Sequence, residues 1–132
     1  MIICADDYGL SPSVSEGIVE LLTEQKVSAA SCMMIGSEVP AAMEGLMELE
    51  DPFDAGLHLV LTDARPMTNL NQYSGLVAGD GRFHSFPKLM ANAYKGLIDT
   101  NALAGEIEAQ LRLFESYTGR TPDYIDGHQH IQ

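Results

Sequence analysis

Short apolar runs alternate along this chain with stretches whose apolar residues recur at helical spacing, and no other feature limits the fold as much. Met1 to Ala5 is compact and apolar but too short for a helix, so it reads as a first strand. Ser11-Pro12 then offers an N-cap followed by proline at the first helical position, and Val14, Ile18, Leu21 and Leu22 carry a helix to about Gln25. Ala29 to Ile35 is a second strand, ended by Gly36. Helical spacing resumes from Pro40 to about Glu50 through Met43, Leu46 and Met47, and Asp51-Pro52 stops it. Ala55 to Leu61 is a third strand. Weak helical character from Phe86 to Ile98 precedes a stronger helix from Leu103 to Tyr117, with Ile107, Leu111 and Phe114 on one face and Gly119 at its end. Thr121-Pro122 leads into a fourth strand, Tyr124-Ile125-Asp126.

That order predicts an α/β fold: a parallel sheet with crossover helices in one domain spanning residues 1–132. In such sheets function gathers at the carboxyl ends of the strands. Residues from Thr62 to about His84 break the pattern with Pro66, Gly75 and the Gly79-Asp80-Gly81 turn signal. Coming directly after the third strand, this segment reads as a loop covering substrate.

The formal charge of −12 argues against nucleic acid as a partner, because phosphates would be repelled. Glu44, Glu48, Glu50, Asp51 and Asp54 concentrate part of that charge, and a solvated helix face accounts for them. No apolar stretch is long enough to span a bilayer, and no basic region precedes the first apolar run, so the chain is read as cytoplasmic. Cys4 and Cys32 lie in apolar runs and read as small core residues in a reducing compartment.

Three polar clusters close three of the apolar runs: Asp6-Asp7, His58, and Asp126-Gly127-His128-Gln129-His130. Adjacent Asp6 and Asp7 point to opposite sides of an extended backbone, so one can face a cation and its neighbour a bound water. An Asp-rich turn capping the next helix explains them equally well. His58 alternates with Leu57 and Leu59, which places it on the opposite face of its strand. A lone histidine there is more often a hydrogen-bonded core residue than a ligand. Asp126, His128 and His130 recur at period two, so an extended segment projects all three to one side. Acid and imidazoles on one face suit a divalent cation, with an acid orienting an imidazole from behind. A solvated tail is the plainer alternative. Asp63 and Asp80 are further acids in the long loop, best explained as turn residues. With no activated serine or cysteine in view, a metal-activated water is the simplest nucleophile.

Ala5-Asp6-Asp7-Tyr8-Gly9-Leu10-Ser11, Gly56-Leu57-His58-Leu59 and Asp126-Gly127-His128-Gln129-His130 resemble, in order and spacing, the three motifs of the YdjC-like (ChbG-type) carbohydrate deacetylases. The Gly79-Asp80-Gly81-Arg82-Phe83 turn and the Glu106 and Gln110 pair are similar as well. The resemblance implies a distorted, TIM-like (β/α) barrel that removes N-acetyl groups from amino sugars with a divalent metal. Asp7, His58 and His128 match its metal ligands, Asp6 its general base and His130 a further active-site histidine. The family implies magnesium, whereas two imidazoles and one carboxylate favour zinc or another transition metal. Gln132, where many members carry a third histidine, resembles the hopanoid-associated branch and adds a glycolipid to the candidate substrates.

The family is about twice this length, so the chain is expected to be the N-terminal half of such a barrel. An incomplete parallel sheet exposes apolar edge, which predicts a homodimer. Besides an N-deacetylase, two other functions fit: a truncated, non-catalytic metal- or sugar-binding module that self-associates, and a hydrolase acting on a phosphoester or another amide.

Overall fold

The computed structural model describes residues 1–50 and 52–131. The helix stop assigned to Asp51 and the branch assignment resting on Gln132 therefore lie outside the described residues. Four parallel strands form one sheet in consecutive order: β1 (Cys4–Tyr8), β2 (Ala29–Met33), β3 (Asp54–Leu59) and β4 (Ile125–Gly127). Helix α1 (Pro12–Thr23) joins β1 to β2, and α2 (Val39–Met47) joins β2 to β3. Between β3 and β4 come α3 (Phe86–Tyr94) and α4 (Thr100–Thr118). The α/β architecture, with a parallel sheet and crossover helices, is the one expected from the alternating periods.

Alternation divides the sheet into two faces. Ala30 and Cys32 of β2 and Ala55 and Leu57 of β3 form a buried core with Ile18 and Leu22 of α1, Met43 and Leu46 of α2, and Phe114 of α4. Full burial of each large apolar side chain here contributes about 1.5–3 kcal/mol. Ser11 caps α1 by accepting a hydrogen bond from the Val14 amide, as the Ser-Pro signal predicts. Ser31, Gly56, His58 and Asp126 alternate with those core residues and lie on the other face.

The first strand is displaced from its expected position. It runs through Asp6 and Asp7 to Tyr8, while Ile2 and Ile3 are exposed. Tyr8 is its anchor: the side chain is fully buried and its hydroxyl donates to the Ala42 carbonyl at 2.6 Å. Burial pushes that phenol up to about 12, and the Cys32 thiol likewise to about 12. Cys4, expected in the core, is exposed, because its thiol lies on the face of Asp6 and Tyr124 and not in the helix-side core.

The long irregular segment has a core of its own. Leu76, Val77 and Phe83 pack with Leu59 and Leu61 from the end of β3 and with Leu89 of α3. Val77 and Phe83 pair across the Gly79-Asp80-Gly81 turn, where Asp80 accepts from the Arg82 amide. Two side chains from α4 fasten this segment to the sheet. Gln110 bonds both the amide and the carbonyl of Val60, at 3.0 and 2.8 Å. Glu106, fully buried, accepts from the amides of Met67 and Thr68 and from the Thr68 hydroxyl, at 2.6–3.0 Å. The fully buried stripe of α4 is therefore Glu106, Gln110 and Phe114, with the expected Ile107 and Leu111 only partly buried. Asp63 and Asp80 are exposed turn residues, and Glu44 on α2 and Glu48 and Glu50 after it are exposed as well. Among the described residues, no helix is long and apolar enough to cross a membrane.

Candidate metal centre

Asp7 owes its aim to a fault in the strand. Ala5 pairs with Ala30 and Tyr8 with Cys32, so β1 carries one residue more than β2 across this interval. The resulting bulge puts Asp7 at φ +65°, a region that aspartate tolerates better than most side chains. Bulges re-aim side chains, and here the alternation expected of Asp6 and Asp7 is broken. Asp7 Oδ1 lies 3.1 Å from His58 Nε2 and 2.8 Å from His128 Nδ1.

Those short distances require a curled sheet. Strands spaced about 4.8 Å apart would hold β1 and β4 roughly 14 Å apart if the sheet were flat, beyond the combined reach of aspartate and histidine. Asp7 nevertheless meets a histidine that directly follows β4, so the sheet bends around the face carrying Ser31, His58 and Asp126. Gly56 makes room on that face: a Cβ there would collide with the Tyr124 ring. The Tyr124 hydroxyl in turn lies 3.0 Å from Cys4 Sγ of β1. Burial raises the Tyr124 pKa, with the Cys4 contact adding to the effect.

His58 is held at both ring nitrogens. It is buried, level with Asp126 in the parallel register, and its Nδ1 lies 2.8 Å from Asp126 Oδ1. The Ser31 hydroxyl donates to the same carboxylate oxygen. A neutral imidazole has one N–H. With that hydrogen on Nδ1 toward Asp126, Nε2 presents a lone pair toward the Asp7 carboxylate. Two electron-rich atoms facing each other are a poor hydrogen bond but a good pair of ligands, and a cation between them removes the conflict. Donor atoms of Asp7, His58 and His128 all lie within 4.8 Å of one another. The donor set fits a divalent ion, with Asp126 holding an imidazole from behind as carboxylates commonly do in metal sites.

The third cluster does not stay extended. After Gly127 the backbone turns, and Gln129 and His130 take φ of +58° and +54°. His128 is directed to Asp7, while His130 is exposed and outside the converging set. The expected projection of Asp126, His128 and His130 from one extended segment is therefore not observed: Asp126 meets His58 from the strand, and His128 meets Asp7 from the turn. Asp6 is exposed and stands beside Cys4 and Asp126, not among the three converging donors. Its carboxylate accepts weakly from Cys4 Sγ at 3.6 Å and lies within 4.8 Å of both the Cys4 and Asp126 donor atoms.

The profile of the YdjC-like protein family matches residues 1–132. The chain belongs to the YdjC-like family. A chitooligosaccharide deacetylase of Yersinia enterocolitica is 33% identical over 131 residues, covering 99% of this chain and 49% of the relative. One of Yersinia pestis is 32% identical over the same length. Among solved structures, an Enterococcus faecalis protein named for a proposed cellobiose-phosphate cleavage activity superposes with a TM-score of 0.81 at 27% identity, covering 98% of this chain and 48% of that one. The chain spans about half the length of the curated relatives it matches.

Within this YdjC-like chain, motif reading singled out Asp7, His58 and His128, which the structure brings together, and did not reach the neighbouring contacts of Ser31 and Tyr124 or the specific pairing of Asp126 with His58. Ser31 carries a usable signal, being the one hydroxyl in the otherwise apolar run of β2. The bulge at Asp6-Asp7 carries none.

Proposed function

We propose that this chain supplies the metal centre of a carbohydrate N-deacetylase, acting on an N-acetylated amino sugar within an oligosaccharide or glycolipid. The observation that carries the proposal is the convergence of Asp7, His58 and His128, with the second nitrogen of His58 held by Asp126. These three residues would hold a divalent cation. Their nitrogen-rich set favours zinc or another transition metal, and the family resemblance favours magnesium. When bound, such an ion supplies Lewis acidity at an amide carbonyl and lowers the pKa of a coordinated water. Asp126 keeps Nδ1 of His58 engaged, which leaves Nε2 free to bind. Asp6, exposed beside Asp126, would take the proton of the attacking water on its carboxylate. His130 is retained as a candidate active-site residue that meets substrate, on its exposed position two residues beyond His128.

The test is acetate release from an N-acetylated chitooligosaccharide. Chelation is expected to abolish release, and added Zn²⁺ or Mg²⁺ to restore it. Asp6→Asn should lower turnover by about 10²–10⁴-fold while leaving ion binding intact. Release that ignores the chelator, or survives in Asp6→Asn, would refute the assignment.

A second reading, a non-catalytic binding module that forms a homodimer, is favoured by the two sheet edges. Ile2 and Ile3 beside β1 and Ile125 in β4 are exposed, at 70%, 44% and 52%. Light scattering across a dilution series separates the two: a mass that stays monomeric counts against self-association.

A further inference from the structure

We propose that Ser31 is a positioning residue for the metal centre, acting from β2 across the sheet through Asp126 on His58. This rests on the metal-centre reading and assigns it a residue outside the three motifs.

Ser31 is fully buried, and its neighbours Ala30 and Cys32 belong to the helix-side core. A hydroxyl in such a strand is unfavourable unless its hydrogen bond is made, and here it is made to Asp126 Oδ1. The two residues stand on strands separated by β3, roughly 10 Å in backbone spacing, so a side chain of β3 would ordinarily stand between them. The residue level with Ser31 on β3 is Gly56, which has none. That bare position admits the Tyr124 ring, and the curl of the sheet lets the Ser31 hydroxyl of β2 reach Asp126 of β4.

The consequence concerns one oxygen. Asp126 Oδ1 receives both the Ser31 hydroxyl and His58 Nδ1. Two donors on one oxygen fix the rotation of a partly exposed carboxylate. A fixed carboxylate keeps the imidazole hydrogen on Nδ1 and Nε2 turned to Asp7. Ser31→Ala leaves the packing of a small residue nearly unchanged but frees the carboxylate to rotate.

Two readouts test this on the intact chain. Calorimetric titration with Zn²⁺ alone should show affinity lowered about tenfold in Ser31→Ala, the lower end of what loss of a ligand-orienting partner produces. The Nδ1–H proton resonance of His58, followed by NMR in the ion-free protein, should move upfield and exchange faster with solvent. Ser31→Cys, whose thiol donates weakly, should fall between wild type and alanine, and serves if the alanine variant folds poorly. Exposed Ser37→Ala should change neither quantity. Unchanged Zn²⁺ affinity together with an unchanged resonance would overturn the role of Ser31. If wild type binds no Zn²⁺ and the resonance still moves, the relay stands and the metal reading fails.

Discussion

At the scale of single residues, Asp7 combines two demands in one position. Its backbone is left-handed at φ +65°, and its carboxylate meets two imidazoles. Asparagine tolerates that backbone equally well and differs mainly in charge. Asp7→Asn is therefore expected to fold normally by circular dichroism yet bind no Zn²⁺ at concentrations that saturate the wild type. Strong binding by that variant would remove Asp7 from the ligand set. The candidate ligands were legible because each interrupts or closes an apolar run, where an ionisable group needs a reason. What turns them toward one another was not. The bulge at Asp6-Asp7 and the left-handed turn at Gln129-His130 are backbone choices that the residue types permit without demanding, so extended spacing wrongly kept His130 beside His128.

At the scale of elements, α4 shows why apolar periodicity misplaces a buried face. Counting apolar residues selects Ile107, Leu111 and Phe114, whereas the fully buried positions are Glu106, Gln110 and Phe114. Glu106 and Gln110 can be buried because the loop and β3 present backbone groups that need partners, and those partners are far away in sequence. This pair fastens residues 62–85 to the end of the strand that carries His58. Glu106→Ala leaves the amides of Met67 and Thr68 and the Thr68 hydroxyl without their acceptor, and should lower stability by about 2–3 kcal/mol. Urea denaturation measures the loss, and hydrogen exchange should show faster exchange concentrated at Met67 and Thr68. Thr68→Val removes one of these bonds and should be milder, about 1 kcal/mol. A uniform rise in exchange across the sheet would argue against the fastening role.

At the scale of the whole molecule, the alternation of periods was enough to give the α/β class, a parallel sheet and two faces of different character. The curl of the sheet was not readable from those periods, and only the motif resemblance, through the barrel it implies, pointed to it. We propose that this curl is that of a (β/α) barrel wall, extending the likeness in fold to the Enterococcus faecalis structure. Two groups in the helix-side core also set a limit on pH. Tyr8 and Cys32 both titrate higher in the fold than in an unfolded chain, because burial disfavours their anions. Their contribution is complete below the ordinary thiol and phenol ranges. It is lost as pH rises toward about 12, since the unfolded chain releases protons that the fold retains. Stability should therefore fall from about pH 9 upward, and Cys32→Ala should flatten that decline in urea titrations at stepped pH. A decline of the same slope in the variant would locate the alkaline sensitivity elsewhere.

The central claim is that β1, β3 and the turn after β4 bring three residues to one cation, and anomalous diffraction from crystals soaked in Zn²⁺ addresses it directly. The expected result is one strong peak at about 2.0–2.2 Å from a carboxylate oxygen of Asp7 and from one ring nitrogen each of His58 and His128. A peak elsewhere, or none at that place in a fully soaked crystal, would contradict the account.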